Sequence, residues 1–156
     1  MAQRIDVTVA AVIADKGKFL MVEERVGGRR VFNQPAGHVE VGESLLEAVT
    51  REVYEETGYG FTATHLLGVF LLQRAQRSYL RLAFAGEATA PRTEPKLDDG
   101  IIATHWLSRP ELVQRESVLR SPMVLQCVDA YVAGICHPLD VLHHLAPDLS
   151  SIANIA

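Results

Sequence analysis

The 156-residue sequence predicts an α+β fold built on a mixed β-sheet. Three observations carry that expectation. Alternating or β-branched runs typical of strands occur in both halves of the chain. One helix between them is signalled at both ends. Strands and helices do not follow one another in regular βαβ order, which argues against a parallel doubly wound sheet. The length suits one domain spanning 1–156, with a tail beyond about residue 140 that shows no clear pattern.

The elements follow in order. Residues 5–14, "IDVTVAAVIA", alternate and are β-branched, predicting a strand. "DKGK" (15–18) is a turn, and "FLMVEER" (19–25) is the return strand of a hairpin. "VGGRR" (26–30) is expected to be a loop, and "VFNQPAG" (31–37) a short strand ended by Pro35. After a loop over 38–43, a helix runs from about Ser44 to Thr57. Ser44 and Glu47 form a capping box at its start, and Gly58 closes it. Two long strands are expected over 61–73 and 78–89, then a polar loop with two prolines over 90–100 and a strand over 101–107. "SRPELVQRE" (108–116) and "SPMVLQCVDAYVAG" (121–134) each read as a helix with a serine cap and an early proline.

Composition removes several classes. A net charge of −4 disfavours nonspecific nucleic-acid binding, which needs a basic surface. No apolar run reaches membrane-span length, and the first residues lack the pattern of a signal peptide. Cys127 and Cys136 have neither metal-type nor disulfide-framework spacing, as in a cytoplasmic protein. Cytoplasmic localisation is the expectation.

The segment "REVYEETG" (51–58) crowds three glutamates onto one helix, where like charges three and four apart repel. Leu45, Leu46, Val49 and Val53 form the apolar stripe. Glu52 falls beside that stripe, Glu56 inside it, and Glu55 on its flank next to Arg51. A carboxylate partly withdrawn from water is costly without an offsetting charge. Arg51 is expected to neutralise one glutamate and not three. A hard cation such as Mg²⁺ takes oxygen ligands and usually brings phosphate oxygens with it.

These residues resemble the signature of the Nudix hydrolases. "GHVEVGESLLEAVTREVYEETGY" (37–59) matches at Gly37, Glu43, Arg51, Glu52, Glu55, Glu56 and Gly58, with Val53 and Tyr59 at bulky positions. "NQPAGHVE" (33–40), "LRSP" (119–122), Tyr131 with Gly134, and "HPLD" (137–140) are similar to the phosphatase NudJ subgroup. The resemblance implies an α/β/α sandwich and a divalent-metal-dependent hydrolase of diphosphate-containing small molecules. By position, Glu52, Glu55, Glu56 and the Gly37 carbonyl would ligate Mg²⁺, with Mn²⁺ an alternative, while Glu43 and Arg51 orient the carboxylates. Glu55 is the first choice of general base; some relatives instead use a late-loop carboxylate, here Glu94, Asp98 or Asp99, although His105 stands directly before Trp106.

Arg25, Arg29 and Arg77, with Arg30, Arg74 and Arg81, are candidates for the terminal phosphate, because arginine binds phosphate bidentately. His38, in the loop of the signature, is a further candidate, and Phe32 or Tyr59 could stack on a ring. The subgroup resemblance implies a phosphatase of nucleoside di- and triphosphates and of thiamine-related pyrimidine diphosphates. A nucleotide-sugar or dinucleoside-polyphosphate pyrophosphohydrolase is the alternative. A noncatalytic nucleotide-binding module is a third reading, against which the intact glutamates argue. The expected partner is a small phosphorylated molecule, with no nucleic acid or membrane, in a monomer or homodimer.

Overall fold

A computed structural model describes residues 4–146. Among these residues are eight strands and three α-helices: β1 Arg4–Val12, β2 Ala14–Asp15, β3 Lys18–Val26, β4 Arg29–Asn33, β5 Ala36–His38, α1 Leu45–Thr57, β6 Gly60–Leu72, β7 Arg77–Thr89, β8 Ile101–Ser108, α2 Arg109–Gln114 and α3 Met123–Val132. One sheet is mixed, in the order β5-β1-β7-β6, with β1 and β7 parallel. The second is antiparallel: β3 pairs with β2, β4 and β8.

Alternation along the strands divides the core in two. Val9, Ala11, Ile13, Leu82 and Phe84 face Ala48, Val49 and Val53 of α1. Their neighbours Val12, Ala83 and Ala85 point the other way, to Leu112 of α2 and Val124, Cys127 and Val128 of α3. Helices thus cover both faces, as the resemblance implied.

Several local expectations need correction. The hairpin of 5–14 with 19–25 is confined to its tip, where Ala14 pairs with Phe19 and the Leu20 N–H donates to the Ile13 carbonyl; β1 itself enters the first sheet beside β7, while β3 belongs to the second. The 26–30 loop shrinks to Gly27–Gly28, both with positive φ, and Arg29 and Arg30 lie in β4. The 31–37 strand is two strands in different sheets, divided at Gln34–Pro35. Leu46 is exposed, and Ala48 takes its place in the buried stripe. Ser108 caps α2 with Glu111 in a capping box, but Ser121 makes no cap to α3, which begins after Pro122.

Near the start of β1, Asp6 is buried and accepts hydrogen bonds from Arg4 (2.6 Å) and Arg77. The Arg77 hydrogen bond holds its carboxyl below the ordinary value of 3.8. A lowered folded-state pKa contributes stability above the unfolded value, and that contribution is lost as pH falls through the folded one. Asp6→Asn is therefore expected to lower Tm by roughly a few degrees at pH 7. The gap should close as pH falls below 3.8. Thermal melts of both proteins across pH 2–7 check this, and a gap that stays constant with pH would contradict it.

Candidate active site

The glutamate helix is held by its own caps. Ser44 accepts from the Glu47 N–H, the Glu47 carboxylate accepts from the Ser44 N–H, and Gly58 adopts the left-handed conformation at φ 74°. This fixes which face of α1 meets β1 and β5. Glu52 and Glu56 are both buried, whereas Glu55 is half-buried. All three line one cavity of about 470 Å³, together with Gly37, His38 and Arg51.

Glu56 accepts a hydrogen bond from the Ala36 N–H at 2.9 Å. Burial, added to by Glu52, Glu24 and Asp98, pushes its carboxyl up to about 9. Burial also raises Glu52, against the opposing hydrogen bond from Arg51. Glu43 is lowered, first by its hydrogen bond from Arg51.

Arg51 does more than expected. It donates to Glu43 (2.9 and 2.8 Å), Glu52 (2.8 Å), Glu55 (3.0 Å) and the His38 carbonyl (3.0 Å). One planar guanidinium with five N–H donors can serve all these partners, which a count of charges overlooks. Arg51 and Glu43 thereby set the side-chain directions of the helix.

Two features make the site suitable for a hard cation. Glu52 and Glu56 are buried oxygen donors whose charge is only partly offset. Gly37 leaves no side chain where the Glu52 carboxylate packs. Among the described residues, no three acidic, imidazole or thiol groups converge closely enough to enclose an ion, and Arg51 bridges Glu52 and Glu55. The carboxylates are gathered but not closed into a ligand shell.

The other candidates separate. Asp98 lines the cavity, and its N–H donates to the Glu55 carbonyl at 3.0 Å; Glu94 and Asp99 are exposed outside the lining. His105 lies 2.8 Å from Glu23, not in the cavity. Arg25 and Arg29 are exposed and do not line it. Arg77 is committed to Asp6, and Arg30 to Glu23. Arg74 and Arg81 do line it. Phe32 and Tyr59 pack against the core, Tyr59 edge-on to Trp106 at 6.2 Å.

Sequence reasoning assigned no site role to Glu24 and Thr8, nor to Arg120 and Ser121, which it quoted only within the motif "LRSP" (119–122); all four also line the cavity. Their approach depends on tertiary contacts. The Arg120 N–H donates to the Phe32 carbonyl, and Gln34 Nε2 to the Val124 carbonyl at 2.7 Å, docking the segment before α3 onto the end of β4. A bulge between Glu23 and Glu24 redirects β3 beside the site.

The NUDIX domain model matches residues 2–126, so the chain belongs to the Nudix family and is a hydrolase of phosphoric anhydrides. More particularly, it is 37% identical to Phosphatase NudJ of Escherichia coli K12 over 137 residues, covering 87% of this chain and 89% of that one. Among solved structures, a NUDIX hydrolase from Nitrosomonas europaea is 41% identical, with TM-score 0.88 over 91% of this chain and 98% of that one. A MutT protein from Methanosarcina mazei Go1 shares the fold at 24% identity and TM-score 0.70, over 86% of this chain and 97% of that one. No helix among the described residues is long and apolar enough to cross a membrane.

Proposed function

We propose that this chain is a Mg²⁺-dependent phosphatase that releases orthophosphate from nucleoside di- and triphosphates and from thiamine-related pyrimidine diphosphates. The observation that carries the reading is the 37% identity to Phosphatase NudJ across 87% of the chain. We read the whole chain as one Nudix domain acting on a small-molecule substrate in the cytoplasm.

Glu52, Glu56 and the Gly37 carbonyl would hold the ion, with Glu55 as a further ligand. When bound, Mg²⁺ or Mn²⁺ would supply charge neutralisation at the phosphoryl oxygens and lower the pKa of a water. Arg51 keeps Glu52 and Glu55 aimed into the cavity, and Glu43 holds Arg51 in turn. Glu55, half-buried at the edge of the acidic group, takes the proton of the attacking water. Asp98 is the other carboxylate placed for that transfer.

The test is hydrolysis of a panel in Mg²⁺, with orthophosphate quantified directly: GDP, a nucleoside triphosphate, thiamine diphosphate and an ADP-sugar. Orthophosphate is expected from the first three. Nucleoside monophosphate from the ADP-sugar alone would overturn the phosphatase reading in favour of a nucleotide-sugar pyrophosphohydrolase.

A further inference from the structure

Among the described residues, four buried side-chain polar atoms have no hydrogen-bond partner in the protein: Thr8 Oγ1, Glu24 Oε1, Arg81 Nε and Ser121 Oγ. All four belong to residues lining the cavity that holds the glutamates. A buried polar group left unmatched costs about 1–3 kcal/mol, so their concentration in one place points to a polar ligand.

Arg81 is the centre of this group. It is 5% exposed, and its guanidinium faces neutral groups: it donates to Gln34 Oε1 at 3.2 Å and Asn33 Oδ1 at 3.3 Å, and the Cys127 thiol lies against it. These bonds fix its plane without neutralising its charge. Register explains its place: Arg81 pairs with Thr8, and Thr8 with His38, so three cavity residues form one row across β7, β1 and β5. Arg120 brings a second cation to the lining, 3.6 Å from Glu24. Glu24 acts electrostatically on both Arg81 and Glu56, which connects the basic group to the acidic one. Its carboxylate works against an anion, and Arg120 at 3.6 Å offsets it; burial raises its pKa, against the lowering by Arg120 and Arg81.

We propose that Arg81, Arg120 and Ser121 form a phosphate subsite that takes the terminal phosphoryl group of the substrate. The subsite rests on reading this cavity as the substrate site. It gives the cavity a reason to release orthophosphate: the arginines hold the terminal phosphoryl group while water attacks its phosphorus, the bond to the bridging oxygen breaks, the remaining phosphate ester leaves with that oxygen, and the attacked group becomes orthophosphate. Cys127, whose buried thiol lies against Arg81, is pushed up to about 11 and stays protonated, so it does not compete as an anion.

The test is calorimetric titration in Mg²⁺ with two probes, inorganic phosphate and an α,β-methylene nucleoside diphosphate, against wild type, Arg81→Gln, Arg120→Gln and Ser121→Ala. Arg81→Gln is expected to weaken both probes at least about tenfold. Arg120→Gln and Ser121→Ala should each weaken them about threefold. Ser121→Ala should leave Tm unchanged, because its hydroxyl satisfies no other protein group. If Arg81→Gln does not fold, the other two variants carry the test. Unchanged affinity in the folded variants overturns the subsite. Weakening for inorganic phosphate alone limits the subsite to the free product and overturns its role in substrate binding. Binding is read without turnover, so the two readings fail separately. An enzyme that makes orthophosphate yet binds both probes normally as Arg81→Gln keeps the proposed function and loses the subsite. The converse pattern keeps the subsite and removes the phosphatase reading.

Discussion

Glu56→Gln is expected to lower kcat by at least about 100-fold while leaving the fold intact. The residue is 8% exposed and accepts a hydrogen bond from the Ala36 N–H. Glutamine has nearly the same shape and keeps a carbonyl oxygen for that donor. What it removes is a carboxylate that burial has made costly to ionise. Tm should therefore hold or rise at neutral pH, since a carboxyl raised to about 9 must take up a proton when the metal-free protein folds, a cost that glutamine does not carry. A stable variant with little activity would show that Glu56 is kept for chemistry rather than folding. Steady-state kinetics in Mg²⁺ and a thermal melt of the same preparation decide it. Unchanged kcat would remove Glu56 from the metal site.

That prediction could be framed from the sequence alone, and the reason is local. Which face of α1 a residue occupies follows from helical periodicity, and the caps at Ser44 and Gly58 set the frame. Glu52 and Glu56 were therefore placed at the core's edge before any tertiary contact was known. Strand existence was legible for the same reason, because alternation is a property of neighbours in the chain. Strand partnership was not. Nothing in residues 5–12 says that they pair with 78–85 rather than with 19–25. The basic part of the cavity depends on that partnership, since Arg81 reaches it only through its register with Thr8. Among six arginines with equal claims, topology alone separates Arg81 from Arg77, four residues away and tied to Asp6. "LRSP" (119–122) stands out as a motif, but the site role of Arg120 and Ser121 is not legible there, because contacts to Phe32 and Gln34 place this irregular segment.

Gly37→Ala is expected to cost about 10–100-fold in kcat with little loss of stability, which separates the two roles a glycine can have. Backbone freedom is not the reason for this glycine, because Gly37 is absent from the glycines with positive φ. Space is. A Cβ at Gly37 would fall within the Glu52 carboxylate, far inside van der Waals contact. The obstacle is the far end of a side chain, so Glu52 can rotate away and the backbone need not move. Moving it would disturb its hydrogen bond from Arg51 and remove a carboxylate from the place where the ion is to be held. Gly86 is the control. A Cβ there would strike the Thr62 carbonyl and Ala63 Cα, both backbone, in the ladder between β6 and β7. Gly86→Ala should lower Tm markedly, by roughly the 1–3 kcal/mol of an overpacked site, because β6 and β7 would have to separate. Melting temperature and kcat measured on both variants should give opposite profiles. If Gly37→Ala lost stability as Gly86→Ala does, the close packing of Gly37 on Glu52 would be structural rather than part of the metal site.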